Sequence, residues 1–362
     1  MRVAVDLTSL LDSPTGVTAV ARRLTAGLAA DPSLELVGYA ASWRGRGRLA
    51  DLENEVGIPI GRRPMAAQPL RRAWLRWDAP TIEWWTGPVD VVWGPNFVVP
   101  PARHAAALAT VHDLTCIRFP EMVTPDVAQY PALLRRAAAR GAHIHAVSEF
   151  IRAEVVELLG FDEDRVHVVA NGVDPADVTG GDRYVLSMAT LEPRKDLVGL
   201  VQAFDRAAAD DDDLRLVLAG ADGWGADAVR EAVSDASHRD RIVRLGYVDD
   251  RLRRDLLAGG LVLAYPSRYE GFGLPPLEAM AAGLAVVATA VGAIAEVCGD
   301  AAELVPPGDP EALAAALVAV TTDDAARAVL VARGRARAAM YSWSRSVSDF
   351  RQVLDAVVHS AG

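Results

Sequence analysis

Short apolar runs recur through the first half of the chain, at residues 3–7, 34–39, 89–93, 107–111 and 144–147. Runs of this length bounded by polar and turn residues read as buried strands. Between several of them apolar positions fall at helical spacing, predicting helices over 17–29, 124–140 and 149–159. Strand and helix in alternation is the order of a parallel sheet covered by helices. The pattern breaks at Asn171-Gly-Val-Asp-Pro175 and again at residues 179–182, a turn-rich connection, and then restarts. The second series predicts strands at 184–188, 214–219, 241–245, 261–264 and 285–288. The expected organisation is α/β in two lobes, 1–172 and 173–340, closed by a helical segment over 341–362.

Length agrees with this division, since 362 residues is about twice an ordinary domain. Hydrophobic residues make up 51%, enough for two cores, yet no run of about 18 uncharged apolar residues exists. The opening Met1-Arg-Val-Ala-Val-Asp6 enters a strand pattern rather than a signal peptide, so a cytoplasmic protein is expected. Cys116 and Cys298 stand alone, without metal-ligand or redox spacing, and read as core thiols.

Charge sharpens the picture. Residues 1–170 hold 18 arginines against 19 acids, whereas 171–362 hold 19 cations against 29 acids. A second half this acidic argues against a nucleic-acid partner and makes any cation at an anion site there conspicuous. Thirty-six of the 37 basic residues are arginine, and the single lysine is Lys195. A compact ammonium on a flexible stem suits a phosphate oxygen. Arg194 and Lys195 follow the first strand of the second series and precede a helix, so two cations and a helix N-terminus converge where a diphosphate would sit.

The most informative stretch runs from Ser267 to Gly283, with Glu270-Gly-Phe-Gly-Leu-Pro-Pro-Leu-Glu278 inside it. It follows an apolar strand and leads into an alanine-rich helix whose first turn accepts Pro275 and Pro276 at little cost. The amides of Gly271, Phe272, Gly273 and Leu274 and the positive helix end favour an anion. Glu270 and Glu278 flank that anion with paired acceptor oxygens suited to hydroxyl pairs. This is the outline of a nucleotide-sugar site.

Glu-x7-Glu around Gly-Phe-Gly-Leu-Pro closely resembles the signature of the retaining glycosyltransferases of family 4. The resemblance extends to Val111-His-Asp-Leu114, Leu191-Glu-Pro-Arg-Lys-Asp-Leu197 and Leu245-Gly-Tyr-Val248, spanning nearly the whole chain in order. It implies the GT-B fold: two Rossmann-like lobes facing a central cleft, with the C-terminal helix returning to the first lobe. The first lobe would bind the acceptor and the second the nucleotide-sugar donor. By resemblance His112 lies beside the donor sugar, Asp113 serves the acceptor or the positive charge at the anomeric carbon, and Gly16 belongs to the first-lobe glycine loop Ser13-Pro-Thr-Gly-Val17. Arg194 and Lys195 would neutralise the departing nucleoside diphosphate, Glu270 hold the sugar hydroxyls, Glu278 the ribose diol and Tyr247 the base. Tyr247 reads equally well as a core aromatic. Many members carry the arginine several residues earlier, where this chain has Ala189 and Thr190.

No Asp-x-Asp metal loop appears, so no metal and no cofactor are expected beyond the donor, for which the motif variants favour GDP-mannose. The acceptor hydroxyl stays open among lipid-linked, polysaccharide and small-molecule classes. A nucleotide-sugar epimerase or hydrolase, or a binding protein without activity, would use the same cleft. Residues 71–93 hold five of the eight tryptophans beside Arg71, Arg72 and Arg76. Such a stretch either touches a membrane surface or packs its rings into its own lobe.

Overall fold

A computed structural model describes residues 1–11, 15–61, 63, 66–176 and 182–361. Two compact units result: Met1–Gly172 together with Trp343–Gly362, and Val173–Ser342. The first contains strands β1 (Arg2–Asp6), β2 (Glu35–Tyr39), β3 (Val91–Gly94), β4 (Ala106–Val111), β5 (His143–Ala146) and β6 (Val166–Val168). They form one sheet in the order β2-β1-β3-β4-β5-β6, every pair parallel. The second contains β7 (Tyr184–Met188), β8 (Arg215–Ala219), β9 (Ile242–Gly246), β10 (Val262–Tyr265), β11 (Ala285–Thr289) and β12 (Glu303–Val305). Their order is β12-β11-β10-β7-β8-β9, again wholly parallel.

The central strands are apolar throughout because helices cover both sheet faces, leaving no solvent side to demand alternation. Thus β3, β10 and β11 are buried at every residue. In the second unit the helices Leu197–Ala207 and Pro310–Thr322 bring Leu200, Phe204, Leu313 and Leu317 onto the same core as Val185, Leu216 and Val287.

Two departures from the expected elements have local causes. The helix read over 124–140 is a short 3-10 turn, Val127–Gln129, followed by an α-helix, Tyr130–Ala139. Pro131 has no N–H to donate and its ring would clash with the preceding turn, so it fits only in a first turn. The strands β6 and β12 were not foreseen; each is three residues at a sheet edge and only partly buried, too short to show a period.

The helix Trp343–Ala361 packs on the first unit, against the helix Gly16–Ala29 and strands β3 and β4. Phe350 meets Trp93 with ring centroids 4.6 Å apart and the edge of His145 at 5.0 Å. Ser346 Oγ donates to the Ala170 carbonyl at 2.6 Å, and the Arg351 guanidinium pairs with Asp31 at 3.2 Å. The contact is close enough that a β-carbon on Gly27 would fall 2.3 Å from Val347. Of the five clustered tryptophans, Trp74, Trp85 and Trp93 pack inside this unit, while Trp77 and Trp84 are exposed. Among the described residues no helix is long and apolar enough to cross a membrane.

Candidate active site

In the second sheet the strand order reverses between β7 and β10, which lie side by side although the chain makes β8 and β9 between them. Loops leaving two such strands diverge and open a crevice beyond their carboxyl ends. Both candidate segments lie there. The loop after β7 ends in a 3-10 turn, Pro193–Lys195, and the loop after β10 carries Glu270. One main-chain bond joins them, from the Arg268 amide to the Arg194 carbonyl at 2.8 Å.

That bond brings three charges together. Lys195 Nζ pairs with Glu270 Oε1 and donates to the Tyr265 hydroxyl at 2.9 Å. Arg194 Nη1 lies 3.3 Å from the same carboxylate oxygen and donates to the Tyr269 carbonyl at 3.2 Å. Lys195 is 9% exposed and Glu270 7%, so the cluster is nearly dry. Burial pushes the Glu270 carboxyl up, but Lys195 and then Arg194 outweigh it and hold the pKa down at about 2. For Lys195 burial prevails over the Glu270 attraction, and its pKa is lowered. Two cations thus share the Glu270 carboxylate, and Arg194 Nε also faces Glu192 Oε2 at 3.5 Å, so cations and carboxylates balance.

Backbone geometry fixes the cluster. Asp196, at the junction of the turn and the helix Leu197–Ala207, adopts a left-handed conformation with φ 48°, tolerable for an Asp. Its carboxylate is held by Arg268 at 3.0 Å. Behind Glu270, Gly292 has φ +53°, and a β-carbon there would fall 2.1 Å from the Glu270 carbonyl oxygen. The next amide, Ala293, donates to that oxygen at 3.0 Å. Only glycine allows the loop after β11 to pass so close.

Gly271, Phe272, Gly273 and Leu274 form the turn into the helix Leu274–Ala281. Gly273 is left-handed at φ 97°, and Pro275 and Pro276 occupy the first turn, as their missing N–H groups require. Phe272 is buried edge-on to Tyr341, centroids 6.0 Å apart, so it secures the turn through packing. Glu278 is half-buried and forms an ion pair with Arg253 from the helix Asp250–Gly259. Burial raises the Glu278 pKa and Arg253 only partly offsets it. Tyr247, just beyond β9, is 58% exposed, which excludes the core-aromatic reading.

The remaining candidates lie in the first unit. His112 follows β4, and its Nε2 hydrogen-bonds the Pro95 carbonyl at 2.8 Å. Burial lowers its pKa despite that bond and the Asp113 charge, so the ring is neutral near pH 7. A carbonyl only accepts, so Nε2 carries the proton and Nδ1 is an acceptor. Asp113 Oδ1 accepts from the Thr115 amide at 2.9 Å, capping the turn that follows. Gly16 opens the helix Gly16–Ala29 behind the Thr15 cap; Ser13 and Pro14 of its loop lie outside the described residues.

Residues 175–337 match the family model of glycosyl transferases group 1, and residues 14–177 that of glycosyltransferase family 4. The O-antigen chain mannosyltransferase B of Escherichia coli is 33% identical over 293 residues, covering 76% of this chain and 74% of its own. The chain belongs to glycosyltransferase family 4. A phosphatidyl-myo-inositol mannosyltransferase of Mycolicibacterium smegmatis is 34% identical over 59% of this chain and 56% of its own length. In fold it matches the Anabaena protein HepE, solved with UDP and glucose, at a TM-score of 0.76 and 16% identity, over 98% of this chain and all of that one. The architecture of this family 4 glycosyltransferase is therefore GT-B.

Sequence reading passed over Arg253, which pairs with Glu278 in this glycosyltransferase. Arg253 sits among Arg251, Arg254 and alternating acids and looked like an ordinary solvated helix face.

Proposed function

We propose that this glycosyltransferase transfers mannose from GDP-mannose to an acceptor hydroxyl with retention at the anomeric carbon and without a metal ion. The observation that carries the reading is the buried cluster of Arg194, Lys195 and Glu270 at the point where the second sheet reverses order. Its two cationic groups, held side by side, suit a diphosphate, and the adjoining helix N-terminus adds positive potential. Two of the relatives named above are mannosyltransferases, which supports mannose. In this reading Glu270 orients the sugar, Glu278 takes the ribose diol beside Arg253, and Tyr247 lies by the base. His112 accepts a sugar hydroxyl at Nδ1. As the bond from the anomeric carbon to the diphosphate oxygen breaks, the acceptor oxygen bonds to that carbon from the same face. The acceptor's proton passes to the departing phosphate oxygen, and the cations stabilise the charge there.

Thermal shift with GDP, UDP and their mannose and glucose conjugates tests it. A ligand at 100 times its Kd stabilises by about 2.7 kcal/mol. GDP-mannose is expected to give the largest shift, Lys195→Ala and Glu278→Ala to abolish it, and His112→Ala to keep the shift but depress transfer. Equal turnover of all three variants and the wild type, or activity that vanishes with a chelator, would overturn the reading.

A further inference from the structure

The first sheet has its own reversal, between β1 and β3. Beyond the carboxyl ends of these strands lies a recess of about 70 Å³, wholly within the first unit, and Asp6, Ser9, Arg71, Trp74, Asn96 and Tyr130 are among its walls. Its polar groups are incompletely used. Both hydrogen bonds to the Asp6 carboxylate, from the Thr8 amide at 2.8 Å and the Thr8 hydroxyl, fall on Oδ1. Ser9 Oγ is buried without a hydrogen-bond partner among the described residues. Arg71 is half-buried, attracts the Asp6 charge and lies 5.8 Å over the Tyr130 ring, yet has no ion pair among the described residues. Burial lifts the Asp6 carboxyl to about 6, and the Thr8 bonds and Arg71 only partly counter it. A carboxylate kept at such a cost, facing a recess, is characteristic of a site rather than a scaffold.

The walls describe the ligand. Tyr130, stacked on Phe97 at 5.0 Å, and Trp74, whose indole N–H is already given to the Pro80 carbonyl at 3.0 Å, offer apolar ring faces. Such faces suit the C–H face of a saturated ring. Asp6 and Ser9 offer partners to hydroxyls, and Arg71 offers a guanidinium to an anion. Pro95, whose carbonyl holds His112, is another wall, so the recess adjoins the histidine already placed at the reaction.

We infer that this recess is the acceptor subsite and takes a ring polyol carrying an anionic group, its hydroxyls on Asp6 and Ser9 and its anion on Arg71. The inference rests on the glycosyl-transfer reading and narrows its open acceptor. The full chain is titrated calorimetrically with methyl α-mannoside, mannose 6-phosphate and inorganic phosphate, with GDP binding measured alongside. Wild type is expected to bind mannose 6-phosphate at least tenfold more tightly than either fragment. Arg71→Met should reduce mannose 6-phosphate to the affinity of the methyl mannoside. Asp6→Asn, which keeps an acceptor oxygen for Thr8, should weaken both sugars tenfold or more while melting no lower than wild type at pH 7.5. All variants should retain wild-type GDP affinity. Undiminished sugar binding in both variants, or no sugar binding by a wild type that binds GDP, overturns the subsite alone. Loss of GDP binding in the wild type would instead sink the donor reading.

Discussion

Glu270 shows how one carboxylate at the candidate site also serves stability. Its pKa in the fold is about 2 against an ordinary 4.5, so the folded state prefers it charged. That preference stabilises the protein fully above about pH 4.5 and is lost as pH falls toward 2. Glu270→Gln removes the charge and strands Lys195 in a dry site, Arg194 keeping Glu192 at 3.5 Å, which costs about 3 kcal/mol at pH 7. Melting curves should show the variant less stable at pH 7 and the difference closing as acid is added; a difference constant with pH would exclude the ion cluster as its source. Glu270 and Lys195 were legible because chemistry-bearing residues at strand ends, and a lone lysine among arginines, stand out along the chain. Arg253 was not, since nothing local distinguishes an arginine that meets Glu278 from one that meets water.

At the scale of elements, the loop after β11 sets the position of the loop after β10. Gly292→Ala drives a β-carbon into the Glu270 carbonyl and places alanine at φ +53°. The change should cost about 1–3 kcal/mol and reduce transfer further than the stability loss explains, because Glu270 moves. Measured turnover matching the folded fraction at each temperature would show that the loop supports the fold only. Most strands were legible to within two residues, as fully buried parallel strands form uninterrupted apolar runs. The edge strands β6 and β12 and the split before Tyr130 were not, because three half-exposed residues have no period and a proline's effect depends on where the helix begins.

Over the whole molecule, the closing helix is the element whose sequence position and spatial position differ most. Phe350, Leu354 and Val357 on it are completely buried, each contributing roughly 1.5–3 kcal/mol relative to exposure. A chain ending at residue 342 should therefore fail to keep the first unit folded, seen as loss of its amide exchange protection. The same helix makes that unit acid-sensitive. His143 bridges His167 at 2.9 Å and Ser360 of the helix at 3.0 Å, and burial followed by the His167 and Arg165 charges lowers its pKa to about 4. His145 falls to about 3, chiefly through burial. Both are neutral in the fold, and the unfolded chain takes up their protons first. The stability these two histidines contribute is thus complete above about pH 6.5 and declines as pH falls toward 4, a loss that Asp6, raised to about 6 by burial, offsets only in part. Exchange protection should weaken in the first unit across that window, while the second, governed by Glu270, weakens below pH 4.5. Simultaneous loss in both units would contradict this assignment.

Sequence by itself determined the α/β alternation in two series, the candidate residues at the strand ends, and the family, because buried parallel strands and glycine-bearing turns impose composition locally. Only the tertiary structure decided that Arg194 and Lys195 share the carboxylate of Glu270, 75 residues beyond Lys195, that Arg253 answers Glu278, and that Asp6, Ser9 and Arg71 line one recess. These are partnerships between segments distant in sequence, fixed by the order in which strands assemble, and strand order leaves no periodic trace along the chain.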